Sequence, residues 1–151
     1  AGIGDGAIAV GKWLGLWAWL LLLIALTALM PLSLLGTTEL DLGRLAANLL
    51  ALTLHAAALA AVALYASSVT TQPVLATALA LLINIVLCAI DLGARAAGVS
   101  HSLINWLALP THFGPLSDGV VASVDLVWFG LVTAVFLALT ARQLASLRSA
   151  D

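Results

Sequence analysis

Four long runs of apolar residues alternate with short polar segments along this chain of 151 residues. The runs are Trp13–Leu35, Leu45–Tyr65, Pro73–Leu92 and Val120–Thr140. Each holds about the 20 residues that a helix, rising about 1.5 Å per residue, needs to cross a hydrocarbon core about 30 Å thick. Inside lipid, a helix pairs its backbone N–H and C=O groups within one segment. The pattern therefore predicts an all-α membrane protein with four transmembrane helices, as a single domain over residues 1–151.

A shorter apolar stretch lies in the longest linker, between the third and fourth runs. Ser102–Leu109 is apolar but too short to span a bilayer, and Pro110 and Pro115 follow it and would stop a helix. Such a stretch is typical of an interfacial or half-inserted helix. We therefore expect a short re-entrant or interfacial segment over about residues 100–113, directly before the last span.

The composition agrees with a membrane-embedded chain that contacts the lipid bilayer. Hydrophobic residues make up 64% of it and charged residues 8%, against about 25% charged in a soluble domain. Its net charge is −2 and its five Lys and Arg residues are scattered, so no nucleic-acid partner is expected. No G-x-x-x-x-G-K-[ST] motif occurs, so we expect no ATPase site of its own by that route.

The Lys and Arg residues outside the apolar runs indicate how the chain is oriented in the membrane. Lys12, Arg142 and Arg148 lie on the side that both termini share, and Arg44 and Arg95 lie on the other. Because cytoplasmic loops carry the excess of Lys and Arg, both termini are predicted to be cytoplasmic in a multi-pass protein of the cell membrane.

Few polar side chains interrupt the apolar runs, and four of them are candidates for lining a path or for bonding between helices. They are His55, Asn84, Thr53 and Thr133. Ionisable groups inside a membrane are costly and often functional. His55 is thus either a transport or proton-handling group or a neutral imidazole bonded to a neighbouring helix. Asn84 is expected to bond between helices.

Three charged residues lie near the predicted ends of the spans. Asp91 and Arg95 are four residues apart, so a continuing helix would place them as a surface pair. Asp125 could line a conduit, pair with Arg95, or be a helix-start carboxylate favoured by the helix dipole. His101 and His112 flank the short segment without other ligands at suitable spacing, so no metal site is expected. No nucleophile is paired with a base, and we expect neither a catalytic nor a cofactor site.

Two sequence patterns together resemble a known family. The first is Thr111-His112-Phe113, followed by Gly119-Val120-Val121, by Asp125 before an aromatic helix start, and by Arg142 at the close of the last run. The second is Ala66–Pro73, between the second and third runs. Both resemble permease subunits of type-2 ABC transporters, in the branch of the gliding-motility and copper-site-maturation permeases.

The resemblance covers nearly the whole chain, since Gly11-Lys12 and Asp41-Leu42-Gly43 also match the family in the expected order. It implies that the four helices are the third to sixth helices of a six-helix permease, either as a fragment or as a split subunit. The family's I-D-L-R-D stretch reads Val121-Ala122-Ser123-Val124-Asp125 here and lacks its arginine.

The resemblance also implies a function and partners. In this family, permeases frame a translocation path that a separate ATP-binding subunit drives. The expected partners are that subunit and either a second permease copy or the missing N-terminal spans. The apolar, charge-poor spans fit equally well an alternative, a small accessory subunit of a larger respiratory or photosynthetic membrane complex.

Overall fold

A computed structural model of the chain describes residues 4–37, 39, 41–99 and 101–150, apart from the side chains of Asp5 and Asp91. The described residues form six helices: α1 (Asp5–Leu32), α2 (Leu42–Val69), α3 (Pro73–Ala96), α4 (Ser102–Leu107), α5 (Leu109–Ser117) and α6 (Ser123–Ser149). Of these, α1, α2, α3 and α6 are long and apolar enough to cross a membrane. The predicted fold class, an all-α membrane protein with four spanning helices, is confirmed.

All four spanning helices are longer than the apolar runs that predicted them. Helix α1 begins eight residues before Trp13 and ends at Leu32, with Pro31 in its last turn. Helix α6 continues beyond Thr140 to Ser149. Hydropathy locates the part of a helix that fits the hydrocarbon core, whereas the helix ends are fixed by local backbone geometry and capping groups.

Local sequence signals explain several of these ends. The Asp41 carboxylate accepts a hydrogen bond of 3.1 Å from the backbone N–H of Arg44 and so caps α2. Pro73 lies in the first turn of α3, where its missing N–H costs nothing. Gly98, with φ of 70°, follows the end of α3, and Gly119, with φ of 99°, lies between α5 and α6. Both glycines adopt the left-handed conformation that other residues avoid.

Helix α2 is the centre of the bundle and contacts α1, α3, α5 and α6. In its most apolar stretch 50% of the residues are buried, against 0% in that of α3. The buried residues of α2 are mostly small: Ala47, Ala51, Ala56, Ala57, Ala58, Ala60, Ala61, Val62, Leu64 and Ala66. Small side chains let helix backbones approach closely in lipid, where no hydrophobic force brings helices together.

The segment before α6 contains two short helices, not the single one that the sequence predicted. Helices α4 and α5 are joined by Ala108, whose backbone is extended. Pro110 does not hold the chain out of a helix, because it lies in the first turn of α5 and a proline there removes no intrahelical hydrogen bond. Thr111-His112-Phe113 is therefore helical.

Helix α5 lies against the first half of α2. The Phe113 ring contacts the ring of His55, with the centroids 5.6 Å apart. His55 is thirteen residues after Leu42, about 20 Å along the axis of α2. At the other end of α5, Gly119 lies beside the backbone of Arg44. The α4–α5 segment (residues 102–117) thus reaches the middle of the bundle from the end opposite to the start of α1.

Candidate functional site

A buried pair of ionisable side chains joins α5 to α6. The Nδ1 atom of His112 lies 2.8 Å from Oδ1 of Asp125, and the two side chains are only 4% and 10% exposed. His112 lies in α5 and Asp125 in the first turn of α6. The two residues are 13 positions apart and meet because the chain reverses at Gly119.

The other ring nitrogen of His112 binds the end of α4. Its Nε2 atom lies 2.7 Å from the carbonyl oxygen of Trp106. Trp106 is in the last turn of α4, where carbonyl groups have no partner within the helix. One imidazole ring therefore connects α4, α5 and α6, and both of its nitrogens have partners.

Aromatic rings surround the imidazole of His112. The Trp128 ring stacks on it, with the centroids 4.7 Å apart and an interplanar angle of 20°. The Trp106 ring meets it edge-on at 6.1 Å. Phe129 packs at a right angle against Trp128, and both of these side chains are almost fully buried. Hydrogen bonds are strong in such surroundings, and an unpaired polar group there is costly.

A second ion pair lies at the rim of the same region. The Arg44 guanidinium is 3.4 Å from the Asp118 carboxylate, and it joins the start of α2 to the end of α5. The two side chains are 63% and 69% exposed. An exposed pair of this kind contributes little to stability. The described residues around α5 thus include one exposed ion pair and one buried pair.

His55 lies near this site but is not part of its hydrogen bonds. Its Nδ1 atom is buried and has no hydrogen-bond partner within the described structure. The ring contacts Phe113 by its edge and also lines an apolar groove of about 280 Å³ between α1 and α2. The structure thus gives no hydrogen bond from Nδ1 to a neighbouring helix, which was one of the two interpretations of this residue.

The other three predicted polar residues lie apart from the pair. The Thr53 hydroxyl donates to the Leu49 carbonyl at 2.8 Å, and the Thr133 hydroxyl donates to the Phe129 carbonyl at 2.9 Å. Thr133 lines a groove of about 330 Å³ that also contains Trp13 and Trp17. Asn84 lines a different groove, of about 410 Å³, between α2 and α3. His55, Asn84 and Thr133 therefore each line a different groove, whereas Thr53 lines none of these three.

Two tryptophans fasten α1 to α2. The indole N–H of Trp13 donates to the Ala57 carbonyl at 2.8 Å, and that of Trp17 donates to the Thr53 carbonyl at 3.1 Å. The two indole rings stack, with the centroids 5.1 Å apart. Their spacing of four residues places both rings on one face of α1.

Replacing Trp13 and Trp17 with phenylalanine is expected to loosen α1. Each substitution removes one indole N–H and should cost about 0.5–1.5 kcal/mol, as for other hydrogen bonds between helices. The loss is measurable as an earlier transition when the protein in detergent is unfolded with SDS and followed by circular dichroism. The matched control is Trp19→Phe, because Trp19 is 60% exposed and should leave the transition in place. An equal shift in all three variants would show that the indole hydrogen bonds of Trp13 and Trp17 do not hold α1 against α2.

The structure gives a different result for each of the three charged residues that were expected near the ends of the spans. The side chain of Asp91 lies outside the described part of the structure, so its pairing with Arg95 stays a prediction. Arg95 is exposed in the last turn of α3. Asp125 does lie in the first turn of a helix, but it is buried and its bonded partner is His112. Among the described residues, no group of three or more His, Cys, Asp and Glu side chains is placed to hold a metal ion.

Sequence reasoning named both members of the pair but did not connect them. The sequence predicts no metal site at His112, and for Asp125 it offers a conduit, a pair with Arg95 or a helix-start carboxylate. The signal that could have joined them is that each is the lone ionisable residue in an apolar stretch, one on either side of the turn at Gly119.

Comparisons of the chain with models of protein families, with curated proteins and with solved structures find no match.

Proposed function

We propose that this chain is a permease subunit of an ABC transporter. It would form part of a translocation path in the cell membrane, with both termini in the cytoplasm, and a separate ATPase would drive it. The observation that carries the proposal is the α4–α5 segment, which directly precedes the last spanning helix and reaches the middle of α2. A short segment at this place is what the resemblance to type-2 permeases implies.

The residues that carry the resemblance support the proposal because they contact one another where α5 packs against α6. His112 of the Thr111-His112-Phe113 motif contacts Asp125 of the following motif, and Phe113 packs on His55. Single short motifs match by chance, whereas motif residues that bond one another have a shared structural reason. That reason is the attachment of α4 and α5 to α6.

The outward faces of α1 and α3 indicate where partners would bind. Both carry large apolar side chains that are more than one-third exposed, among them Leu22, Leu26, Leu29 and Met30 on α1, and Leu75, Leu81, Leu82 and Ile85 on α3. Lipid or further helices can cover such faces. The proposed partners are a second permease copy or additional N-terminal spans, together with the ATP-binding subunit.

The proposed path would run between this chain and those partners. His55, Asn84, Thr53 and Thr133 are proposed to line it or to bond to partner helices. Because His55, Asn84 and Thr133 line three separate grooves, the described part of the chain does not bring them together in one conduit. The path would need helices from a partner to close it.

Purification of the native complex tests this function. The chain, tagged at its C-terminus, is isolated from its own membranes in mild detergent, and the co-purifying proteins are identified by mass spectrometry against untagged membranes. A P-loop ATPase at a fixed ratio to the chain is the expected result. Recovery of haem-, iron–sulfur- or pigment-binding subunits without an ATPase would overturn the proposal and favour the accessory subunit.

A further inference from the structure

We propose that His112 is held as an imidazolium, with hydrogen on both ring nitrogens, and that this cation locks the α4–α5 segment to α6. The inference rests on the contacts of the ring and does not depend on the proposed transport function. It assigns a role to the one ionisable pair that is buried among the described residues.

Both atoms opposite the ring nitrogens are oxygens that accept hydrogen bonds. The Trp106 carbonyl oxygen lies 2.7 Å from Nε2 and can only accept. The Asp125 oxygen lies 2.8 Å from Nδ1 and accepts whenever the carboxylate is ionised. A neutral imidazole has a single N–H, so one of the two contacts would oppose a lone pair to an oxygen. The geometry therefore requires two protons in total on His112 and Asp125.

Two protons can be arranged in two ways: imidazolium with carboxylate, or neutral imidazole with carboxylic acid. The surroundings favour the charged arrangement. Asp125 lies in the first turn of α6, where the helix dipole stabilises a negative charge. The face of Trp128 stacks on the His112 ring, and an indole face attracts a cation. Hydrogen bonds between ionised partners are also stronger than those between neutral ones.

Other ionisable groups on the surrounding elements do not replace Asp125 as the partner of His112. Arg44 and Asp118 at the rim bind each other and are exposed. His55 on α2 faces the Phe113 ring. The remaining charged or imidazole groups on these elements are Asp91 and Arg95 near the end of α3, His101 before α4, and Arg142 and Arg148 in the second half of α6. Asp125 is the charged group that the structure places against the His112 ring.

The first test detects the hydrogens on the His112 ring nitrogens by NMR. The chain has three histidines, so protein labelled with ¹⁵N-histidine gives few imidazole signals. The spectrum is recorded in detergent at pH 7.5, about one unit above the ordinary titration of free imidazole. His55→Gln and His101→Gln variants assign two residues, and His112 follows as the third. We expect both nitrogens of His112 to have N–H character. A His112 nitrogen without hydrogen at this pH would overturn the assignment.

The second test measures the lock through hydrogen exchange of the α5 amides. Asp125→Asn keeps the size but removes the charge, so the ring should become neutral, with Nδ1 accepting from the asparagine amide N–H and Nε2 still donating to Trp106. Both contacts then lack charge assistance, and this loss should speed the exchange of residues 109–117 about tenfold. Amides of α1 serve as the reference, because α1 packs on α2 and α6 and can loosen without breaking the pair.

Matched variants separate the lock from general effects of substitution. Asp118→Asn makes the same change in an exposed carboxylate, and His101→Gln changes an exposed histidine next to α4. Both should leave the exchange of α5 unchanged. Unchanged exchange of α5 in Asp125→Asn would overturn the lock. Equal acceleration in α5 and α1 would overturn it as well, because the pair would then stabilise the bundle without controlling the α4–α5 segment.

Discussion

Replacing Asp125 with alanine is expected to lower the free energy of unfolding by about 3–5 kcal/mol, the usual cost of removing one partner from a buried ion pair. The substitution leaves Nδ1 of His112 without its hydrogen-bond partner in a site where the histidine side chain is 4% exposed. It also removes the bond that connects α5 to α6. The loss should be visible in SDS unfolding of the protein in mixed micelles, followed by circular dichroism.

The exposed ion pair between Arg44 and Asp118 is the matched control. Asp118→Ala removes a carboxylate that lies 3.4 Å from Arg44, but these side chains are 63% and 69% exposed and water screens them. The expected cost is about 0–1 kcal/mol. Removing His112 and Asp125 together should cost less than the sum of the single losses, because neither then leaves an unpaired partner. Similar costs for Asp125→Ala and Asp118→Ala would show that burial does not govern this pair.

The spanning helices could be predicted from the sequence because a single physical requirement controls them. A run of about 20 apolar residues is stable in lipid only as a helix, whatever it packs against. The central position of α2 could also be anticipated, since its alanines permit close approach of neighbouring helices. The extra turns of α1 and α6 could not be read from hydropathy, because the glycine and charged residues that interrupt the apolar pattern there do not end the helix.

The candidate site could be predicted only as separate residues. The contact between His112 and Asp125 depends on the helical form of α5 despite Pro110, and on the reversal at Gly119. Both depend on tertiary packing, since the helical α5 buries Leu109 and Leu116 in the core. Trp13 and Trp17 illustrate the same limit. Their spacing indicates a shared face, but the carbonyl groups that they reach belong to α2.

Replacing Trp128 with alanine is expected to cost about 3 kcal/mol, at the lower end of the range for truncation of a buried aromatic side chain. Trp128 is 1% exposed and packs between His112 and Phe129. In a membrane protein the transfer of the side chain from water contributes less than in a soluble one, so the lost packing and the cavity supply most of the cost. SDS unfolding in mixed micelles measures it.

Two further variants show which property of Trp128 matters. Trp128→Phe keeps an aromatic face against His112 and should recover a large part of the stability, whereas Trp128→Leu fills much of the volume without that face. If the stacked ring stabilises an imidazolium, only the leucine variant should weaken the N–H signals of His112 at pH 7.5. Trp19→Ala is the control for an aromatic side chain that is 60% exposed and should change neither measurement. Equal behaviour of the phenylalanine and leucine variants would mean that Trp128 acts through its volume alone.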